Sequence, residues 1–295
     1  MTVLNNKIDF IALVSVSYAN PNGDPLNGNR PRTDCENYGE ISAECFKRKL
    51  RNRMQDLGQN IFVKMQERSD DGYKSLKERY DADEDISKLM KAKERDLDAI
   101  KKLACEKWLD VRTFGGVFAY GTSKEAGKSK ESGVSIGIRG PVSIHHIRSI
   151  DPVEVLTYQI TKSVNGETCK DNGKSSDTMG SKHMVKYGLY KVKGSINVQL
   201  AQLTGFSEDD AELLKKCLIT VFENDASAAR PDGSMVVEKL YWAKHNCASG
   251  QYPAAKIHNA VKVKLKEADS EPMSINDYNV ELDKSEIHDV EIEEY

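Results

Sequence analysis

The run IDFIALVSVS, residues 8–17, is rich in Ile, Val and Phe and reads as a buried strand. The next segment limits how the chain leaves it. Residues 20–32, NPNGDPLNGNRPR, form a Gly/Pro/Asn cluster whose turn chemistry neither extends a strand nor starts a helix. A long loop, ordered or mobile, is expected there. Ser42 then caps a helix expected to run to about Leu57, before Gly58. Ala43, Phe46, Leu50, Met54 and Leu57 share one face of it, and Lys47, Arg48 and Arg51 lie on the other side.

Residues 61–110 are dense in Lys, Glu and Asp, with Leu89, Leu97, Ile100, Leu103 and Leu109 at helical spacing. They read as a helical insertion. VRTFGGVFAYG begins at Val111, and residues 121–133, GTSKEAGKSKESG, are polar enough to read as a flexible loop. Strand-like sequence resumes at Val134 and near residues 155–160, a second polar stretch covers 165–181, and 187–200 alternates as one or two strands. Ser207 with Asp210 is a capping-box pattern opening a helix to about Phe222. Strands are expected around 239–245 and 261–266, on either side of a Pro-started segment at 253–258. This order fits an α+β fold, a split βαβ sandwich of the ferredoxin or RRM kind carrying insertions.

With 295 residues, 39% of them hydrophobic and 30% charged, the chain has material for a real core. It has no run of the ~20 apolar residues that a spanning helix needs, and its start lacks the basic and apolar stretches of a secretory signal. The cytoplasm is the expected compartment. The six cysteines, at 35, 45, 105, 169, 217 and 247, form no CxxC pair, so they read as incidental thiols in a reducing compartment. No metal and no cofactor is expected.

The net charge of −3 conceals an asymmetry. Residues 267–295 hold eleven acids against Lys284 alone, a balance of −10, which leaves residues 1–266 at −3 + 10 = +7. A mildly basic body with an acidic tail is compatible with RNA binding.

Gly121 to Ser129, GTSKEAGKS, superficially resembles a Walker A loop but has five residues rather than four before its Gly-Lys-Ser, and no helix pattern comes after it. His145 and His146 raise acid–base RNA cleavage, yet neighbours on an extended segment point to opposite faces. Asn20, Asn22, Arg30 and Arg32 leave the first strand on the side where the helix with Lys47, Arg48 and Arg51 begins. Amides, glycine backbone and arginines suit phosphate and ribose oxygens; a plain tight turn would use the same residues. In Arg112-Thr113-Phe114-Gly115-Gly116, Phe114 is either core or a stacking platform with close backbone approach. Met179, Lys182 and His183 come after a polar run; a Met there suggests packing against bases or a neighbouring subunit.

Taken in order, NPNGDPLNGNRPRTD (20–34), CFKRKLRN (45–52), DVRTFGGVF (110–118), IGIRGPVSI (136–144), SSDTMGSKHMVKYGLY (175–190), FENDASAARPDGSM (222–235) and KLYWAKH (239–245) resemble the Cas-seven backbone family of CRISPR Cascade complexes, specifically the Csd-two branch of type I-C systems. The resemblance spans about 20–260. It implies an RRM-like palm (1–60 and 111–266), an inserted helical domain (61–110), a protruding thumb (candidate 163–186) and, outside the match, the acidic C-terminal tail (267–295). It further implies a non-catalytic subunit, copies of which stack along a guide RNA beside other Cascade subunits and present the guide for pairing with a target DNA strand.

Carried over by position, the resemblance puts Asn20, Asn22, Arg30, Arg32, Lys47, Arg48 and Arg51 on the RNA backbone. It puts Arg112, Phe114 and Gly115 near it, and Met179, Lys182 and His183 at the thumb or its base. Segment 222–235 receives no contact, and Pro231 after Arg230 departs from the family pattern, where glycine is more usual. Two other readings remain: a metal-independent ribonuclease using His145 or His146, and a protein–protein adaptor working through 61–110.

Overall fold

The computed structural model describes residues 2–92, 96–118, 135–161, 179–268 and 270–295. Strand β1 (Ile8–Ala19) is buried from Ile8 to Val16 because both of its faces are covered. The loop after it is ordered: β2 (Gly23–Asp24) and β3 (Arg30–Pro31) pair across a short turn in which Asp24 accepts from Leu26 N and Gly28 is left-handed. β4 (Tyr38–Ile41) leads into α1 (Ala43–Asp56), capped by Ser42 and ending at Leu57 as its sequence predicts.

Three helices come next, α2 (Leu76–Ala82), α3 (Glu84–Lys91) and α4 (Leu97–Lys107), and then the short α5 (Leu109–Phe114). Their apolar residues do not join the main core. Tyr80, Ile86, Ile100, Ala104 and Trp108 close around Phe62 and Phe118. Phe118 lies on β5 (Gly115–Phe118), which pairs with β6 (Ile136–Arg139), so this small core takes in the hairpin as well as the helices. The flexible loop and the Walker-like segment expected at 121–133 lie outside the described residues.

β7 (Val142–Ile144), β8 (Ile147–Pro152) and β9 (Val155–Thr161) all pair with β10 (Met179–Ile196). The strand reading of 187–200 holds only to Ile196, because Asn197 accepts from Leu200 N and starts α6 (Val198–Thr204). Ser207 and Asp210 form the expected capping box on α7 (Glu208–Ile219). β11 (Met235–Lys244), α8 (Ala254–Ala260), β12 (Val261–Leu265), β13 (Tyr278–Leu282) and β14 (Glu291–Glu294) complete the chain.

The main sheet is antiparallel, in the order β14-β11-β1-β10-β8-β4. On one face Phe10, Ala12, Val14 and Val16 of β1 meet Phe46, Leu50 and Met54 of α1 and Leu214, Cys217 and Leu218 of α7. Full burial of each such large side chain contributes roughly 1.5–3 kcal/mol. Gly194 of β10 lies beneath Phe10: a Cβ there would stand 2.1 Å from the ring. On the other face Ile11 packs with Ile257 and Val261, and Leu13 with Tyr278. The segment expected as an acidic tail is therefore part of the fold. β13 pairs with β12, and β14 is an edge strand of the main sheet. Among the described residues no helix is long and apolar enough to cross a membrane.

Candidate nucleic-acid interface

β1 stops pairing with β10 at Ala19 and Val185, so residues 179–184 pair with β9 alone and form a two-stranded arm beyond the sheet. The candidate thumb, 163–186, overlaps this arm from Met179 onward; its residues 163–178 lie outside the described part. Directly paired residues share a face. Thr157 and His183 lie on one face, and Tyr158 with Lys182 on the other, where Tyr158 and Ile160 are 45% and 52% exposed. Met179 opens the strand opposite Thr161.

The loop after β1 meets the arm through one polar cluster. Arg30 Nη1 donates to Thr157 Oγ1 at 3.0 Å and stands 3.4 Å from His183 Nδ1, itself 3.0 Å from the same hydroxyl. With its proton on Nε2, His183 accepts at Nδ1. Only Nη1 of Arg30 is engaged among the described residues, so most of its five N–H donors remain for another acceptor. Arg32 is 38% exposed and forms one long contact, 3.4 Å, with Asp24. Lys182 has no ion pair among the described residues. Thr157, which joins Arg30 to His183, escaped the sequence reading; its one signal was its place in an alternating run.

The two asparagines hold the loop. Asn20 is buried; its backbone N–H donates to Ala229 O and its amide to Asn29 O at 2.7 Å. Asn22 Oδ1 accepts from Ser42 N at 2.9 Å, tying the loop to the start of α1. Segment 222–235 is thereby located: it packs beneath the loop, with Ser17 N also donating to Ser234 O. There Asp225 lies between Lys49, which is buried, and Arg230, 3.3 Å away.

The basic side of α1 is not the open face its spacing implies, because residues 62–63 and α5 close over it. Arg48 donates through Nε to Asn52 and through Nη1 to Val63 O, and burial together with the nearby Arg51 charge pushes its pKa down to about 10, still a cation at neutral pH. Arg51 donates to Asp110 at 3.0 Å; that carboxylate is fully buried and also accepts from Phe62 N and Val63 N. Lys47 differs. Its ammonium lies 5.7 Å from the Phe114 ring centre, to which Arg51 also comes within 4.9 Å, and it forms no ion pair among the described residues. Burial and then the Arg51 charge hold its pKa below the usual lysine range; an anion would reverse that.

Arg112 and Gly115 are both engaged within the fold. Arg112 makes a two-pronged pair with Asp210, 2.8 Å on each side, and donates to Cys105 O, joining α5 to the first turn of α7. Gly115 has φ +76°, and a Cβ there would lie 2.2 Å from Ile138 O. Phe114 is half-buried with two cations near its ring, so the ring is a seat for Lys47 and Arg51. His145 and His146 have separate surroundings: the first packs edge-on against His258 at 5.2 Å, the second lies 3.3 Å from Glu40.

A loop, an arm and a helix start carrying cations that have no ion pair among the described residues are general features; the sequence model of the family described as CRISPR-associated protein Cas7 matches residues 6–283. This chain belongs to the Cas7 family. The CRISPR-associated protein Cas7 of Haloferax volcanii is 26% identical over 273 residues, covering 89% of this chain and 76% of that protein. Among solved structures, a chain of a pre-nicking CRISPR RNA-guided surveillance complex is similar with a TM-score of 0.46, 16% identity and coverage of 80% of this chain and 78% of that one. A chain of another CRISPR RNA-guided surveillance complex gives 0.43, 16%, 80% and 68%. The matched region includes the whole loop, α1, the arm and segment 222–235 of this Cas7 relative.

Proposed function

We propose that this Cas7 family member is a non-catalytic, crRNA-binding backbone subunit. Copies of it line up along the guide RNA of a type I-C Cascade interference complex, beside other Cascade subunits, and hold the guide for pairing with target DNA. Family membership supports a place in a CRISPR complex. The sheet supports the RRM-like palm: β1, α1, β8, β10, α7 and β11 succeed one another as a split βαβ unit.

The observation that carries the reading is the junction of Arg30, Thr157 and His183, with the exposed Tyr158 and the half-buried Lys182 beside it. An arginine with free donors suits a phosphate, and a cation next to an exposed aromatic ring suits a single strand of stacked bases. On this reading the arm is the thumb that crosses the RNA, Arg30, Arg32 and Lys182 meet its backbone, and Lys47 lies further along, about 6 Å up α1 from Ala43 at 1.5 Å per residue. Asn20, Asn22, Arg48, Arg51, Arg112 and Gly115 build the surface from behind.

The test is a guide-length RNA titrated by fluorescence anisotropy across salt concentrations. Arg30→Ala with Lys182→Ala should weaken binding and flatten the salt dependence by about 0.7 per lost phosphate contact. Unchanged affinity and slope would remove the junction from the RNA path.

A further inference from the structure

The charge asymmetry of the sequence has a structural resolution. The acids of residues 270–295 lie on the body, and five of them are paired with lysines of other elements. Glu271 meets Lys186 of β10 at 2.8 Å, Glu293 meets Lys215 of α7 at 2.8 Å, and Glu294 meets Lys239 of β11 at 2.5 Å. Asp283 meets Lys262 of β12 at 2.5 Å, and Glu286 meets Lys256 of α8 at 3.5 Å. The last two pairs line a groove of about 210 Å³, with Asn259 and Ser285 on its walls. Backbone bonds fix the acidic residues in place. β14 pairs with β11 along residues 241–244, and Leu240 and Tyr295 exchange N–H···O bonds of 2.9 Å in both directions.

Without these acids, the lysines of β11, β12 and α8 would be a basic surface suited to any single-stranded polyanion. The cations of the candidate interface carry no such cover: Arg30, Lys47 and Lys182 have no ion pair among the described residues. We propose that segment 283–295 is a built-in competitor for nucleic acid, an acidic strap that occupies lysines away from the loop and arm and so confines RNA to one surface. The inference rests on RNA being the ligand of the proposed function. Its physical basis is general: non-specific binding scales with the cations free to displace counterions from the phosphate backbone, and fixed acids repel the rest.

Lys239, Lys256 and Lys262 test the idea best, because the strap supplies their only carboxylate partners within ion-pair distance among the described residues. The triple variant Asp283→Asn, Glu286→Gln, Glu294→Gln keeps every backbone bond of the strap and removes only its charge there. Binding of an oligouridine unrelated to any guide is measured against salt, beside the wild type. The strap predicts tighter binding by the variant, by tenfold or more at low salt, and a dependence steeper by up to about 2, at about 0.7 for each released lysine.

A second variant adds Lys239→Gln, Lys256→Gln and Lys262→Gln to the first, and the wild-type slope should return. If the steeper slope persists there, the released lysines are not its source and the proposal falls. It falls equally if a triple variant with wild-type circular dichroism and urea midpoint binds oligouridine as the wild type does. Stoichiometry of the wild type on a guide-length RNA reports on the proposed function separately, so either idea can fail while the other stands.

Discussion

Arg112 and Arg30 are both arginines in family-like motifs, and their surroundings differ. Both members of the Arg112–Asp210 pair are largely buried, with side chains 16% and 8% exposed, and breaking such a pair from one side costs about 3–5 kcal/mol because the other charge is left stranded. Arg112→Ala should lower the urea midpoint accordingly while folded protein keeps its affinity for RNA. Arg30→Ala should do the reverse, with little change in midpoint and a clear loss of affinity. The sequence could not separate them, since neither residue type nor neighbours reveal that a carboxylate ninety-eight positions away closes on one of them. Arg48 and Arg51 moved for the same reason. The sequence suggests that replacing both with alanine weakens RNA binding without unfolding. With Asp110 fully buried and dependent on Arg51, the double variant should instead unfold at markedly lower urea.

At the scale of elements, the legible signals were the local ones. The caps of α1 and α7, and the strand β1, could be read because a side chain three residues away or an apolar run decides them. Where packing decides, the sequence was silent: α6 replaced the end of a strand because of one asparagine cap, and the basic stripe of α1 vanished under a layer contributed by the insertion. The packing of α8 on β1 and β10 makes a pH-dependent prediction. His258 is buried, donates through Nε2 to Gly194 O at 3.0 Å, and is held below the usual histidine pKa first by burial. The folded state thus binds fewer protons than the unfolded one, so its stability is full above the unfolded histidine's range, about pH 6.5, and falls as pH drops below it. The urea midpoint should decline from pH 7.5 to 5.5, and the decline should shrink in His258→Gln; a wild-type midpoint flat over that interval would contradict the assignment.

For the whole molecule, the order of motifs along the chain was the readable part and their convergence was not. Residues 20–34, 45–52 and 175–190 are recognisable one by one, yet only the antiparallel register of β1 with β10 brings Arg30 to His183 and leaves the arm projecting past the sheet. The acidic C-terminal segment was visible as charge but not as structure, because a strand such as Glu291–Glu294 has little apolar content and is specified by the β11 edge and the lysines it meets. Under the proposed function such a molecule offers one surface to RNA and its arm to a neighbouring copy. The most direct test of that account is size-exclusion chromatography with light scattering, on the protein alone and with a guide-length RNA. The account predicts a discrete particle holding several protein copies on one intact RNA, formed only when RNA is present. A single copy per RNA, or RNA cut during the run, would contradict it.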